Sequence, residues 1–235
     1  MFIGIDLGTS SVKSILVDAD DRVIATASAP LEVSRPLPTF SEQNPEDWWN
    51  AAIATLDQLK EAAPKEMAAV TGIGLSGQQH GATLLDRDGK VLRPCMLWND
   101  GRSELECREI AAQFPELSKI TGNPAMPGFT APKLLWVRRH EPEIFAQVAF
   151  VLLPKAYLRY RLTGEMVEDM SDASGTVWLD VGRRDWSDEL LAATYMSRAQ
   201  MPRLVEGNAV SGTLKSDLAQ RWGMAKPPVL AGGGG

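Results

Sequence analysis

The sequence predicts an α/β fold, a mixed sheet flanked by helices, and three observations predict it. The first thirty residues read as consecutive short strands joined by tight turns. A long, well-capped amphipathic helix follows. Beyond it, short apolar runs alternate with helical patterns, the order that lays helices against a sheet.

The opening strand is Phe2–Leu7, and it places the carboxylate of Asp6 near its end. Gly8-Thr9-Ser10 turns the chain into a second strand, Val12–Asp18, and Asp20-Asp21 turns it again into a third, Arg22–Ser28. Consecutive hairpins predict an antiparallel start to the sheet. Residues 30–38 are proline-rich and irregular. Asn44 then caps a helix, with Pro45 in its first turn and Glu46 and Asp47 at the positive end of its dipole. Trp49, Ala52, Ile53, Leu56 and Leu59 repeat at helical spacing, and Trp48 and Trp49 are expected to anchor the core.

Strands are expected at Val70–Leu75 and Ala82–Leu85, around a tight segment from Ser76 to Gly81. Helical runs follow from Gly101-Arg102 to about Gln113 and over Ala131–His140. Phe150–Leu153 reads as a buried strand and Lys155–Leu162 as a short helix. Trp178-Leu179, Leu190-Leu191 and Leu218 mark further short elements, and Val229-Leu230 is a strand entering the glycines 232–235.

With 235 residues, 44% hydrophobic and 23% charged, the chain has a globular balance. Its formal charge of −6, without a basic run, argues against nucleic acid and anionic membrane as partners. Apolar runs such as Ala149–Leu153 fall far below the roughly 20 residues of a membrane-spanning helix. The N-terminus enters a strand at once, so no signal peptide is expected and a cytoplasmic location is predicted. Cys95, Cys107, His80 and His140 show no zinc-ligand spacing, and the two cysteines are expected to be reduced, ordinary thiols.

Four segments carry candidate chemistry. The Gly8-Thr9-Ser10 turn could aim backbone N–H groups and two hydroxyls at a phosphate, with Asp6 holding Mg2+ through water; it could equally be an ordinary polar hairpin. Gly77-Gln78-Gln79-His80-Gly81 offers amide and imidazole groups to a polyhydroxylated ligand, or is a polar turn with a hydrogen-bonded histidine. Leu97-Trp98-Asn99-Asp100-Gly101-Arg102 sets an aromatic face beside polar groups that suit a sugar; alternatively Asp100 caps a helix and Arg102 pairs with it. The segment Pro228–Gly235 either brings backbone close to a phosphate or is a flexible tail. Neither G-x-x-x-x-G-K-[ST] nor G-x-G-x-x-G occurs, so nucleotide chemistry here is neither P-loop nor Rossmann.

These segments, with Thr121-Gly122-Asn123, Ala131–Trp136, Leu153–Leu158 and Ser171–Thr176, occur in the order seen in the FGGY carbohydrate kinases, which the chain resembles along its whole length. The resemblance implies a ribonuclease-H-like lobe of the actin, hexokinase and Hsp70 superfamily, residues 1–235 forming the N-terminal, sugar-binding lobe. It implies ATP and Mg2+ as cofactors and D-xylulose or a related ketose as acceptor, giving D-xylulose 5-phosphate, with ribulose, gluconate and glycerol as other acceptors. Asp6 matches the family's Mg2+-associated aspartate. Gly8, Thr9 and Ser10 match its phosphate loop and Gln79 and His80 its sugar-binding pair, while Trp98, Asn99, Asp100 and Arg102 would shape the pocket. The family's catalytic aspartate falls at Gly235, and its C-terminal nucleotide lobe is absent from these residues. The chain alone is therefore expected to be inactive, with an exposed lobe interface that could pair two copies as a homodimer. A rival reading is a stand-alone sugar-binding or regulatory module derived from a kinase. A chaperone-type ATPase would leave the Gln-His turn and the Trp-Asn-Asp segment without a task.

Overall fold

The computed structural model describes residues 1–234. In chain order it contains β1 (Phe2–Leu7), β2 (Ser11–Val17), β3 (Val23–Pro30), β4 (Glu42–Gln43), α1 (Pro45–Ala62), α2 (Pro64–Ala68), β5 (Gly72–Gly77), β6 (Thr83–Leu85) and β7 (Cys95–Met96). Then come α3 (Glu104–Gln113), α4 (Leu117–Thr121), α5 (Thr130–His140), α6 (Pro142–Phe145), β8 (Phe150–Leu152), α7 (Pro154–Thr163), β9 (Val167–Asp169) and α8 (Met170–Ser174). The remainder is β10 (Leu179–Asp180), β11 (Asp185–Trp186), α9 (Asp188–Ala193), β12 (Arg203–Val205), β13 (Val210–Thr213), α10 (Ser216–Trp222), β14 (Pro228–Leu230) and β15 (Gly233–Gly234).

The central sheet runs β13-β14-β5-β1-β2-β3, with β15 also beside β5. The two N-terminal hairpins and the β13–β14 pair are antiparallel, whereas β5 lies parallel to both β1 and β14, so the sheet is mixed as the sequence predicts. Alternation along β1 and β2 turns Ile3, Ile5, Leu7, Val12 and Leu16 inward. They meet α1, whose buried stripe holds Trp48, Ala52, Leu56 and Leu59, and Ser14 and Thr55 share a 2.7 Å hydrogen bond inside that contact. Asn44 caps α1 as expected, its Oδ1 accepting from the Glu46 N–H at 3.2 Å. The two expected tryptophan anchors divide: Trp48 is buried, while Trp49 is half-buried beneath the Arg161 guanidinium, 4.6 Å from its ring.

A second core lies beyond the sheet, where Ile110 of α3, Leu134 and Val137 of α5 and Leu190 of α9 close around Trp178 and Trp186. The opposite face of the sheet, with Gly4, Asp6, Lys13, Ile15, Gly74 and Ser76, lines an open cavity of about 680 Å3.

Two boundaries differ from the sequence expectation for the same reason. β5 runs on through Ser76 and Gly77, because its ladder with β1 continues as Asp6–Ser76 and Leu7–Gly77. The glycine segment is sheet rather than tail through Gly234: Gly232 takes φ 83° and Gly233 and Gly234 pair with Ser76 and Gly77. Gly235, the expected position of the family's catalytic aspartate, lies outside the described residues. Among the described residues no helix is long and apolar enough to cross a membrane.

Candidate functional site

The ends of β1 and β5 open onto a cleft of about 590 Å3 lined by Asp6, Gly8, Thr9, Ser76, Gly77, Gln78, Gln79, His80 and Trp98. Of the residues singled out in the sequence, Asp6, Gly8, Thr9, Gln79, His80 and Trp98 thus meet around one space. Asp6 is exposed at the cleft mouth, its Oδ1 accepting from Ser76 Oγ at 2.9 Å, and no basic side chain lies within ion-pair distance among the described residues. An exposed carboxylate with free oxygens fits Mg2+, which keeps much of its water and needs only one or two protein carboxylates.

The phosphate-loop expectation is modified in detail. The Gly8 N–H is spent on Ser11 O at 3.0 Å, which closes the turn. Thr9 Oγ1 accepts from Trp98 Nε1 at 3.0 Å and lies 3.4 Å from Gln78 Oε1. The amides of Thr9 and Ser10 carry no partner among the described residues and remain free for an anion. The exposed Ser10 stands outside the cleft lining.

Asn99, Asp100 and Arg102 also stand outside the lining. Asn99 is exposed beside it. Asp100, 1% exposed, accepts from the Ser41 N–H at 2.7 Å and from the Arg102 guanidinium. Arg102 also reaches Glu42 at 2.7 Å and stacks over Phe40, 3.5 Å from the ring centre. Their side chains are 0% and 2% exposed, so the pair braces the segment behind Trp98 and is not part of the cleft wall. The ion-pair alternative describes this pair; the cap does not, since α3 starts from Ser103.

His80 is the most tightly held group of the cleft. It takes φ 66°, a left-handed conformation uncommon outside glycine. Its Nδ1 lies 3.1 Å from Gly175 O, which as a carbonyl can only accept, so Nδ1 carries a proton. Burial, and then the nearby Lys133 charge, push its pKa down to about 4. The imidazole is therefore neutral at pH 7, and Nε2 is left as an acceptor. Gln79 rests on Gly234, where a Cβ would fall 1.9 Å from its amide nitrogen.

Sequence reasoning missed the residues that hold this site. Gln43 donates to Thr9 O at 2.8 Å and accepts from Gln78 Nε2 and Trp48 Nε1, linking the first turn, the second turn and the core. Thr130 Oγ1 and Lys133 Nζ both donate to His80 O, at 3.0 and 3.1 Å. Lys133 left one signal, a lysine set among apolar positions of a helix; Gln43 and Thr130 left none. Cys95 and Cys107 are free thiols whose pKa values burial pushes up to about 12, the reverse of a nucleophile.

A mixed sheet with a polar cleft at the carboxyl ends of its parallel strands β1 and β5, and an exposed aspartate at the mouth, forms a lobe of the ribonuclease-H-like class. The family model described as "FGGY family of carbohydrate kinases, N-terminal domain" matches residues 1–235, and the chain belongs to that family. It is 56% identical over 234 residues to the xylulose kinase of Escherichia coli (strain K12), an alignment covering 100% of this chain and 48% of the relative. The xylulose kinase of Bacillus subtilis (strain 168) is 42% identical over 98% of this chain and 47% of its own length. The crystal structure of a xyloylose kinase from Brucella ovis superposes with a TM-score of 0.97 at 53% identity, covering 99% of this chain and 48% of that one. The chain spans about half the length of the curated relatives it matches.

Proposed function

We propose that residues 1–235 form the sugar-binding lobe of a xylulose kinase, which transfers the γ-phosphoryl group of ATP to O5 of D-xylulose. The observation that carries this reading is the convergence of Asp6, Thr9, Gln79, His80 and Trp98 on one cleft. The nature of the sugar rests on the names of relatives up to 56% identical.

The neutral imidazole of His80 accepts a sugar hydroxyl at Nε2, the Gln79 amide supplies a donor and an acceptor, and the Trp98 ring packs on a C–H face of the ketose. Thr9 and the free amides of the first turn face the phosphate side. Mg2+ held through water at Asp6 would neutralise charge on the transferring group. Phosphoryl transfer depends mainly on such positioning and charge stabilisation. The nucleotide lobe is proposed to lie in the half of the relatives that this chain does not span, closing over the cleft and the open sheet face.

Titration calorimetry of the purified chain is expected to show D-xylulose binding in preference to D-ribulose, gluconate and glycerol. Tighter binding of another of these would move the assignment to that acceptor within the family. No binding of any of them at millimolar concentration would remove the sugar-lobe reading.

A further inference from the structure

We propose that Lys133 is a positioning residue for sugar recognition: through the His80 carbonyl it holds His80 in the left-handed conformation that presents its imidazole to the cleft. The inference rests on the sugar-binding reading of that cleft.

Lys133 is fully buried in α5 and has no carboxylate within ion-pair distance among the described residues. Its ammonium is satisfied by two backbone carbonyls, His80 O at 3.1 Å and Gly128 O. A buried ammonium without a counter-ion is costly, and an apolar side chain would fill the same helix position without that cost. The position therefore calls for what the charge does, and its contact is the backbone of the one cleft residue with an unfavourable φ. Three neighbouring groups complete the grip: Thr130 Oγ1 on the same carbonyl, Phe129 edge-on to the imidazole at 4.5 Å, and Gly175 O on Nδ1.

The second consequence is electrostatic. The Lys133 charge disfavours imidazolium at His80 and so preserves Nε2 as an acceptor. Burial lowers the Lys133 pKa to about 7, so the clamp itself titrates near neutrality. The groups facing it are His80 after β5, Cys95 on β7, Asp100 and Arg102 before α3, and Cys107 on α3; the Asp100 carboxylate favours its charged form and Arg102 opposes it, while the two thiols are neutral at that pH.

The test uses the purified chain and its Lys133→Met and Lys133→Arg variants. Melting, D-xylulose affinity at pH 6 and pH 8.5, and the imidazole 15N shifts of His80 are measured, His140 being the internal reference. Lys133→Met is expected to fold, to lose at least about tenfold in D-xylulose affinity, and to move the His80 titration up from about 4 toward the ordinary 6.5; Lys133→Arg should recover part of both. Methionine with native affinity and an unmoved His80 titration would overturn the proposal. Should the methionine variant not fold, the native chain decides. Affinity and His80 shifts that change together across pH 6–8.5 support the clamp, and values flat across that range overturn it. If the native chain binds neither D-xylulose nor any of the other acceptors, the sugar reading fails by itself, and the His80 titration still tests the clamp.

Discussion

Replacing Lys155 with methionine is expected to destabilise the chain by about 3–5 kcal/mol, the range for removing one partner of a buried ion pair. Lys155 on α7 is fully buried and lies among three buried carboxylates: it bonds Asp169 and stands 3.3 Å from Asp172 and 3.6 Å from Glu168. Glu168, Asp169 and Asp172 each offer an oxygen within 4.8 Å of the others, a spacing that could hold a metal ion, but the ammonium sits beside all three. Arg159, 3.6 Å from Glu168, is the second cation, and it also donates to Ala231 O and Val167 O. Without Lys155, three carboxylates would face one guanidinium out of reach of water.

The loss has a pH signature. Burial, and then the Glu168 charge, raise the pKa of Asp172 to about 8 from 3.8. Between those values the folded state holds a proton that the unfolded state has released, so this group's contribution to stability falls as pH rises through the window. Lys155 opposes that rise, and methionine removes the opposition. Urea unfolding should therefore show a larger deficit for the variant at pH 9 than at pH 6. A deficit below about 1 kcal/mol at pH 9 would mean that the cluster relaxes or admits water. The consequence reaches the cleft, because Asp169 accepts from Ser171 Oγ, and Ser171 Oγ lies 3.4 Å from the Gly234 N–H on the strand beside Gln79.

What the sequence made legible was local. The β1–β2 hairpin, the capped α1 and the glycine turn after β5 each depend on residues within a few positions of one another. For that reason Asp6, Thr9, Gln79 and His80 could be named in advance, and Trp98 with them from the equally local run Leu97–Arg102. The two-stranded pairings of β4 with β7 and β9 with β12 were not legible, because strands of two or three residues carry no period and exist only through a distant partner. The same limit separates the cleft from its supports. Gln78 meets Gln43 across 35 residues, Lys133 meets His80 across 53 and Gly175 meets His80 across 95. Asp100 and Arg102 show the limit from the other side. Their spacing predicts that they meet, and they do, but only the packing of Phe40 and Glu42 decides that the pair turns inward.

Gly175→Ala is expected to empty the cleft of its imidazole while leaving the fold in place. Gly175 has φ −77° and ψ 0°, which alanine adopts freely, so the backbone is not the obstacle. The obstacle is contact: a Cβ there would fall 2.3 Å from His80 Nδ1 and 2.4 Å from Cε1. The ring must retreat by roughly 1 Å to restore van der Waals distance, and in doing so it loses its bond to Gly175 O. It cannot retreat at constant orientation, since Phe129 meets the ring edge-on and the His80 carbonyl is held by Thr130 and Lys133. The overpacking should cost about 1–3 kcal/mol of stability. D-xylulose affinity should fall by at least about tenfold, or 1.4 kcal/mol, because Nε2 leaves the position where a hydroxyl would meet it. Gly182→Ala is the matched control, its Cβ meeting only Asp180 Oδ1 at an ordinary 3.4 Å, and it should bind as the native chain does. An alanine at 175 that binds D-xylulose as tightly as that control would show that the ligand does not depend on the imidazole where this structure holds it.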